Sequence, residues 1–159
     1  MITTEVVARV SGSPDEVAQM FLDVEGWPRL FPATVRAVRL VERDWPRTVV
    51  DVAHRVGRVR NILTTVSPRE VLLEEWKPRY RARFRYRFEA EGHHTRLVLV
   101  GEIYLERWAA FLESLLASYA RRQMRKYVIE PIQYAVRYGR TRPRRARSAT
   151  SSAAGPSVA

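Results

Sequence analysis

The stretch Arg79-Tyr80-Arg81-Ala82-Arg83-Phe84-Arg85-Tyr86-Arg87-Phe88 decides the fold. Apolar and aromatic residues alternate with arginine at a strict period of two. That period belongs to a strand with one face buried and one face wet. A strand so divided needs a sheet around it and a layer over its apolar face. The flanking sequence supplies both. Glu91-Gly92-His93-His94 reads as a hairpin loop. Leu97, Leu99, Gly101 and Ile103 then carry the buried face onto a last strand. On the other side, Lys77-Pro78 marks a turn and Glu70–Trp76 a strand. Ser67-Pro68-Arg69 is a further turn. Arg58–Val66, Thr48–Val56 and a run through Val35, Leu40 and Val41 read as three more strands, with Gly57 and Trp45-Pro46 between them. Thr3–Val10 opens the chain as another β-favouring run.

Two helical regions complete the pattern. Ser13-Pro14-Asp15-Glu16 reads as a helix start, with Ser13 as N-cap, Pro14 at the first helical position and Glu16 at capping-box spacing. Val17, Met20, Phe21 and Val24 follow at helical spacing. Trp27, Leu30 and Phe31 form an apolar cluster on a second short helix. Roughly 106–138 reads as one long amphipathic helix. Its stripe is Leu105, Trp108, Leu112, Leu115 and Tyr119, extended by Leu116, Met124, Tyr127 and Val128, and Pro131 is expected to kink it or to end its first part. The class is therefore α+β: a curved antiparallel sheet of six to seven strands, two short helices after strand 1, and a long C-terminal helix on the concave face.

The composition narrows the function classes. The chain has 159 residues, enough for one domain with a real core. It has no cysteine, which excludes a disulfide scaffold, a thiolate metal site and a cysteine nucleophile. No apolar run is long enough for a transmembrane helix, and the first residues lack a signal-peptide layout. A cytoplasmic location is expected. The net charge is +11, and all basic residues except Lys77 and Lys126 are arginine. Residues 140–159 hold five arginines and no acid, leaving +6 for residues 1–139. The domain is therefore expected at 1–139 and a disordered basic tail at 140–159. That tail lacks aromatic interleaving and any nucleic-acid module, so nucleic acid is a disfavoured partner. No phosphate loop, nucleophile elbow or dinucleotide fingerprint is present. His93 and His94 sit at the expected hairpin tip; on a strand, adjacent histidines would point to opposite faces, and no cysteine or third histidine is near in sequence, so no metal site is expected. No cofactor is expected.

The element order resembles the helix-grip fold of the START-related (SRPBCC) superfamily. Ser13-Pro14-Asp15-Glu16-Val17, followed by Asp23-Val24-Glu25-Gly26-Trp27-Pro28-Arg29-Leu30-Phe31-Pro32, resembles a segment of its polyketide cyclase/dehydrase-like and coenzyme Q-binding-like members. The resemblance implies a cavity between sheet and long helix for a hydrophobic molecule: an aromatic polyketide, a quinone or a lipid. It implies either cyclase/aromatase chemistry or non-catalytic carriage and lipid transport. In the aromatase/cyclases a strand arginine with nearby hydroxyl, histidine or carboxylate groups holds and enolises the polyketide. Thr65 or Val66 stands where that arginine is expected here, and Thr34 stands near a tyrosine position.

Within that frame the candidate chemistry falls on few residues. Tyr86 offers a phenol to orient or protonate a ligand carbonyl. His54 shares a face with Val50 and Val52, if that face points inward; Asp51 then points outward. A carboxylate such as Glu75 beside His54 makes an acid/base pair. Asn61 offers a hydrogen bond to a ligand oxygen. Trp27, Phe31, Tyr80, Phe84, Phe88, Trp108, Leu112 and Tyr119 are the candidate ligand-binding surfaces. Each aromatic has the alternative reading of ordinary core. The arginine row reads as a solvated strand face answered by Glu74 or Glu75, Glu89 and Glu102. Its functional alternative is docking to an acyl carrier protein or an anionic membrane surface.

Overall fold

The structure is a computed structural model that describes residues 1–55, 57–77, 80–104 and 113–139. Among the described residues, seven strands form one antiparallel sheet in the order β1-β7-β6-β5-β4-β3-β2. They are β1 (Ile2–Ser11), β2 (Val35–Asp44), β3 (Arg47–His54), β4 (Gly57–Ser67), β5 (Glu70–Lys77), β6 (Tyr80–Glu91) and β7 (His94–Tyr104). Consecutive strands from β2 to β7 are hairpin neighbours, and β1 closes onto β7 with Val6 opposite Leu99. The alternation of the opening stretch appears directly in burial. Ala82, Tyr86 and Phe88 are buried, while Arg81, Arg83 and Arg85 are exposed.

The turns follow their local chemistry. Gly92-His93 is a two-residue hairpin turn in which Gly92 takes φ +60°, a conformation that side chains disfavour at this first central position. Gly57 does not separate two strands as expected; it is the first residue of β4 and pairs with His54. Strand β2, at one edge of the sheet, slips register against β3 twice, between Val35 and Ala37 and between Leu40 and Glu42.

Helix α1 (Pro14–Leu22) starts as the sequence dictates. The Glu16 amide donates to Ser13 Oγ at 3.3 Å, and the Ser13 amide donates to Glu16 Oε2 at 3.0 Å. A 3-10 turn (Val24–Gly26) and the one-turn helix α2 (Trp27–Leu30) follow. The C-terminal helix is described from Glu113 to Gly139: α3 (Glu113–Met124), a π turn (Arg125–Ile129) and α4 (Glu130–Gly139). Pro131 does not end it. Proline has no amide to return to the preceding turn, and its ring crowds the carbonyl four residues back. The wider π turn lies just before it, over that carbonyl.

This turn also resets the buried stripe, which runs Ala120, Met124, Ile129, Ile132, Val136. The five-residue step from Met124 to Ile129 spans the π turn. Tyr119 is a correction to the expected stripe: it is 60% exposed, because the buried phase passes through Ala120 beside it. The helix lies close on the sheet at Gly101, where a Cβ would meet the Phe84 ring at 3.1 Å and the Met124 methyl at 3.2 Å. Among the described residues, no helix is long and apolar enough to cross a membrane.

Candidate ligand cavity

The site is built outward from Phe21. The apolar face of α1 carries Val17, Ala18 and Phe21 into the core, and Phe21 is fully buried. Four aromatic rings surround it. Tyr86 lies 4.3 Å away between centroids, Trp27 5.6 Å, Phe88 6.2 Å and Phe31 6.5 Å. Three of these pairs are tilted and the Phe31 pair is edge-on, and none is a face-to-face sandwich, which aromatic quadrupoles disfavour. Trp27 is fixed by its indole, whose Nε1 donates to the Phe21 carbonyl at 2.7 Å. The Phe31 carbonyl accepts from the Val35 amide at 2.9 Å and the Thr34 amide at 3.1 Å, which leads the chain into β2.

The strands supply the polar wall. On β3, Val50 and Val52 face the core and His54 shares their face. Asp51 points outward, between Arg39 at 2.6 Å and Arg60 at 2.9 Å. That clamp draws the Asp51 carboxyl down to about 2, first through the Arg60 hydrogen bond and then through that of Arg39. In register with Val50, β4 presents Asn61, and β5 presents Glu75 opposite Asn61. Leu73 and Val71 precede Glu75 on the inward face of β5.

Together these residues line a cavity of about 80 Å³ between the sheet, the aromatic cluster and the helix. That is room for two or three waters at roughly 30 Å³ each. Its wall is mostly hydrocarbon: Phe21, Trp27, Phe31, Leu73 and, from the π turn, Val128. Into it come five polar side chains: Thr34, His54, Asn61, Glu75 and Tyr86. The Tyr86 phenol is pushed up from its ordinary value of 10.0, by burial first and then by the negative charge of Glu75. It therefore stays protonated and can donate. The Oδ1 atom of Asn61 is buried and has no hydrogen-bond partner among the described residues. An aromatic-walled cavity with a neutral phenol, an open amide acceptor, an imidazole and a carboxylate can hold an oxygenated apolar molecule and move a proton on it.

A sequence model of the family described as "Polyketide cyclase / dehydrase and lipid transport" matches residues 1–128. The chain belongs to this family. Solved structures share its helix-grip fold. One, the protein TTHA0849 from Thermus thermophilus, superposes with a TM-score of 0.71 at 16% identity, covering 86% of this chain and 98% of that one. The Zhui aromatase/cyclase from Streptomyces sp. R1128 gives 0.68 at 15%, covering 86% and 93%. A START superfamily protein from Mycobacterium smegmatis gives 0.68 at 11%, covering 85% and 97%. No curated protein sequence matches the chain.

In this cyclase/dehydrase-family domain the structure brings Tyr86, His54, Asn61, Trp27 and Phe31 to one cavity. Phe88 is buried behind it, against Phe21. Phe84 packs at the edge of the core, under the helix at Gly101. Tyr119 is turned to solvent, away from the cavity. Trp108 and Leu112 lie outside the described residues, as do the side chain of Tyr80 and the tail 140–159. Thr65 is half-buried and Val66 exposed. Two lining residues carried too little weight in the sequence. Phe21, the centre of the cluster, reads there as ordinary helix core. Glu75 reads as an answer to the arginine row as readily as a partner of His54. The alternation Val71, Leu73, Glu75 was the signal that sends it inward, leaving Glu74 to meet Arg83 at 3.0 Å.

Proposed function

We propose that this domain binds an aromatic or polyketide-like molecule in the cavity and acts on it as a cyclase/aromatase. The observation that carries the proposal is the meeting of Tyr86, His54, Asn61 and Glu75 in one cavity walled by aromatic rings. A mere greasy slot has no use for four such groups, since polar groups are costly to bring into an apolar interior. In the proposed reaction, Tyr86 donates a hydrogen bond to a ligand carbonyl. His54 takes a proton from the carbon between two carbonyls, with the Glu75 charge favouring the imidazolium. The enolate carbon then attacks a second carbonyl carbon and forms the ring bond. The new alkoxide takes a proton back, and loss of one water leads toward the aromatic ring. Phe21, Trp27 and Phe31 hold the chain folded.

The second reading is non-catalytic carriage of a quinone or lipid. The largely hydrocarbon wall favours it, as does threonine or valine at the expected arginine position. Either ligand is larger than the cavity, since pockets for drug-sized ligands measure roughly 300–1,000 Å³. Binding therefore involves outward movement of part of the wall.

The test has two parts. Native mass spectrometry of protein purified from its own host identifies any retained molecule. Turnover of a poly-β-ketone is then compared among wild type, Tyr86→Phe and His54→Ala. The cyclase reading expects turnover that falls roughly a hundredfold or more in His54→Ala, the usual scale of general-base loss. A retained quinone or lipid together with no turnover decides for carriage.

A further inference from the structure

We infer that the molecule this cavity accepts carries a hydroxyl group that donates a hydrogen bond to Oδ1 of Asn61, making Asn61 the residue that selects phenols and enols over quinones and ethers. The inference rests on the cavity being the binding site, as proposed above, and says what that site requires of its ligand.

Asn61 is 2% exposed and lies in the middle of the sheet, between Val50 and Glu75 in register. It is on the lining of the cavity, and its Oδ1 has no hydrogen-bond partner among the described residues. An orphaned buried acceptor costs about as much as the hydrogen bond it lacks. Less than 1 Å² of this oxygen is accessible to water, so no water in the cavity pairs with it. A ligand enters by moving part of the wall, as proposed above, and so uncovers the acceptor. It must then supply a donor to Oδ1, or the amide is left dry and unpaired.

The chemistry of the donor is narrow. A quinone or an ether offers only acceptor oxygens, which face Oδ1 lone pair to lone pair. A phenol, an enol or a hydroquinone offers an O–H. Amides also donate, but the wall of Phe21, Trp27, Phe31 and Leu73 favours a flat, carbon-rich body. Ligands that match the site in shape and differ only in this hydrogen should therefore separate strongly. A site built around a hydrogen bond rejects the analogue that lacks it far more sharply than an apolar pocket rejects an extra methylene.

The test uses the full chain and three single-ring probes, which ask least of the cavity wall: 4-methylphenol, 4-methylanisole and toluene. Affinities are measured by calorimetry, and the site is verified from perturbation of the Trp27 indole N–H signal by NMR. The expected result is that wild type prefers the phenol over the methyl ether. That preference should shrink by about tenfold or more in Asn61→Leu, the scale of restoring one orphaned buried acceptor. Asn61→Leu should also bind toluene at least as well as wild type does. An unchanged phenol-to-ether ratio in the variant overturns the inference, as does equal or tighter binding of the ether by wild type. Glu75 and His54 in the same cavity can also accept from a phenol, so the variant ratio is the deciding readout; Asn61→Ala supplies it should Asn61→Leu fail to fold. Failure of all three probes to reach Trp27 is a different result: it removes the cavity as the binding site, and the inference with it.

Discussion

The two faces of strand β6 are made of neighbouring residues and behave as different materials. On the concave face, Tyr86 and Phe88 are buried in an aromatic cluster around Phe21, with rings a few ångströms apart. On the convex face, Arg83 reaches Glu74 at 3.0 Å and Arg85 reaches Glu70 at 2.9 Å, with both arginines half in water. Arg81 lies over the exposed Trp76 ring at 4.2 Å. The inner face has no screening solvent, and every lost contact leaves a void. The outer face holds more individual polar contacts, yet water replaces each of them when it breaks. The number of contacts is thus a poor guide to where the stability of the sheet resides.

The comparison breaks most visibly at Phe21. Phe21→Ala removes the ring on which four others rest, and should destabilise the domain by about 3–5 kcal/mol. Denaturant unfolding measures it; a cost near that of a surface change would mean that the cluster collapses to fill the space. Arg85→Ala is the matched change outside. It should cost less than about 1 kcal/mol, and the difference should fade in high salt. A larger, salt-insensitive cost would show that the arginine stem, not its charge, covers the sheet.

The smallest effect should be present at neutral pH and vanish in acid. Asp51 titrates at about 2, below its ordinary 3.8, because Arg60 and Arg39 hold the carboxylate. A depressed pKa contributes stability that is present above the unfolded value and lost as pH falls through the folded one. Asp51→Asn should therefore lower Tm at neutral pH, and the gap to wild type should close between about pH 4 and pH 2. A gap that is constant across that window would assign the role of Asp51 to shape.

How much was legible in the sequence follows the same division. Alternation over Arg79–Phe88 is unambiguous because arginine and aromatic side chains cannot exchange faces, so the strand, its faces and its hairpin neighbours could be read directly. The capping box at Ser13 and Glu16 was equally local. His54 could be placed only conditionally, since its face depended on whether Val50 or Asp51 pointed inward. The two arginines that hold Asp51 outside come from neighbouring strands, at positions that no local pattern links. Glu74 and Glu75 are chemically alike, and only register separates the one that meets Arg83 from the one that enters the cavity. The helix was the least legible. A periodic stripe of large residues includes Met124, which is buried, but it also favours Tyr119, where small Ala120 beside it takes the buried position instead. An open acceptor such as Asn61 Oδ1 leaves no trace in sequence at all, because being unpartnered is a property of the surroundings.

Strand β2 also shapes what happens between molecules. It ends the sheet, and its outer side offers backbone groups to any extended chain that drifts near. A straight edge would present those groups at an even pitch, the arrangement on which fibrils grow. The two register slips, at Val35/Ala37 and Leu40/Glu42, interrupt that pitch within one ten-residue strand. An incoming strand can match a few residues before it falls out of step. The same irregularity that makes β2 look like the least tidy part of the fold thus makes it a poor template for a second strand.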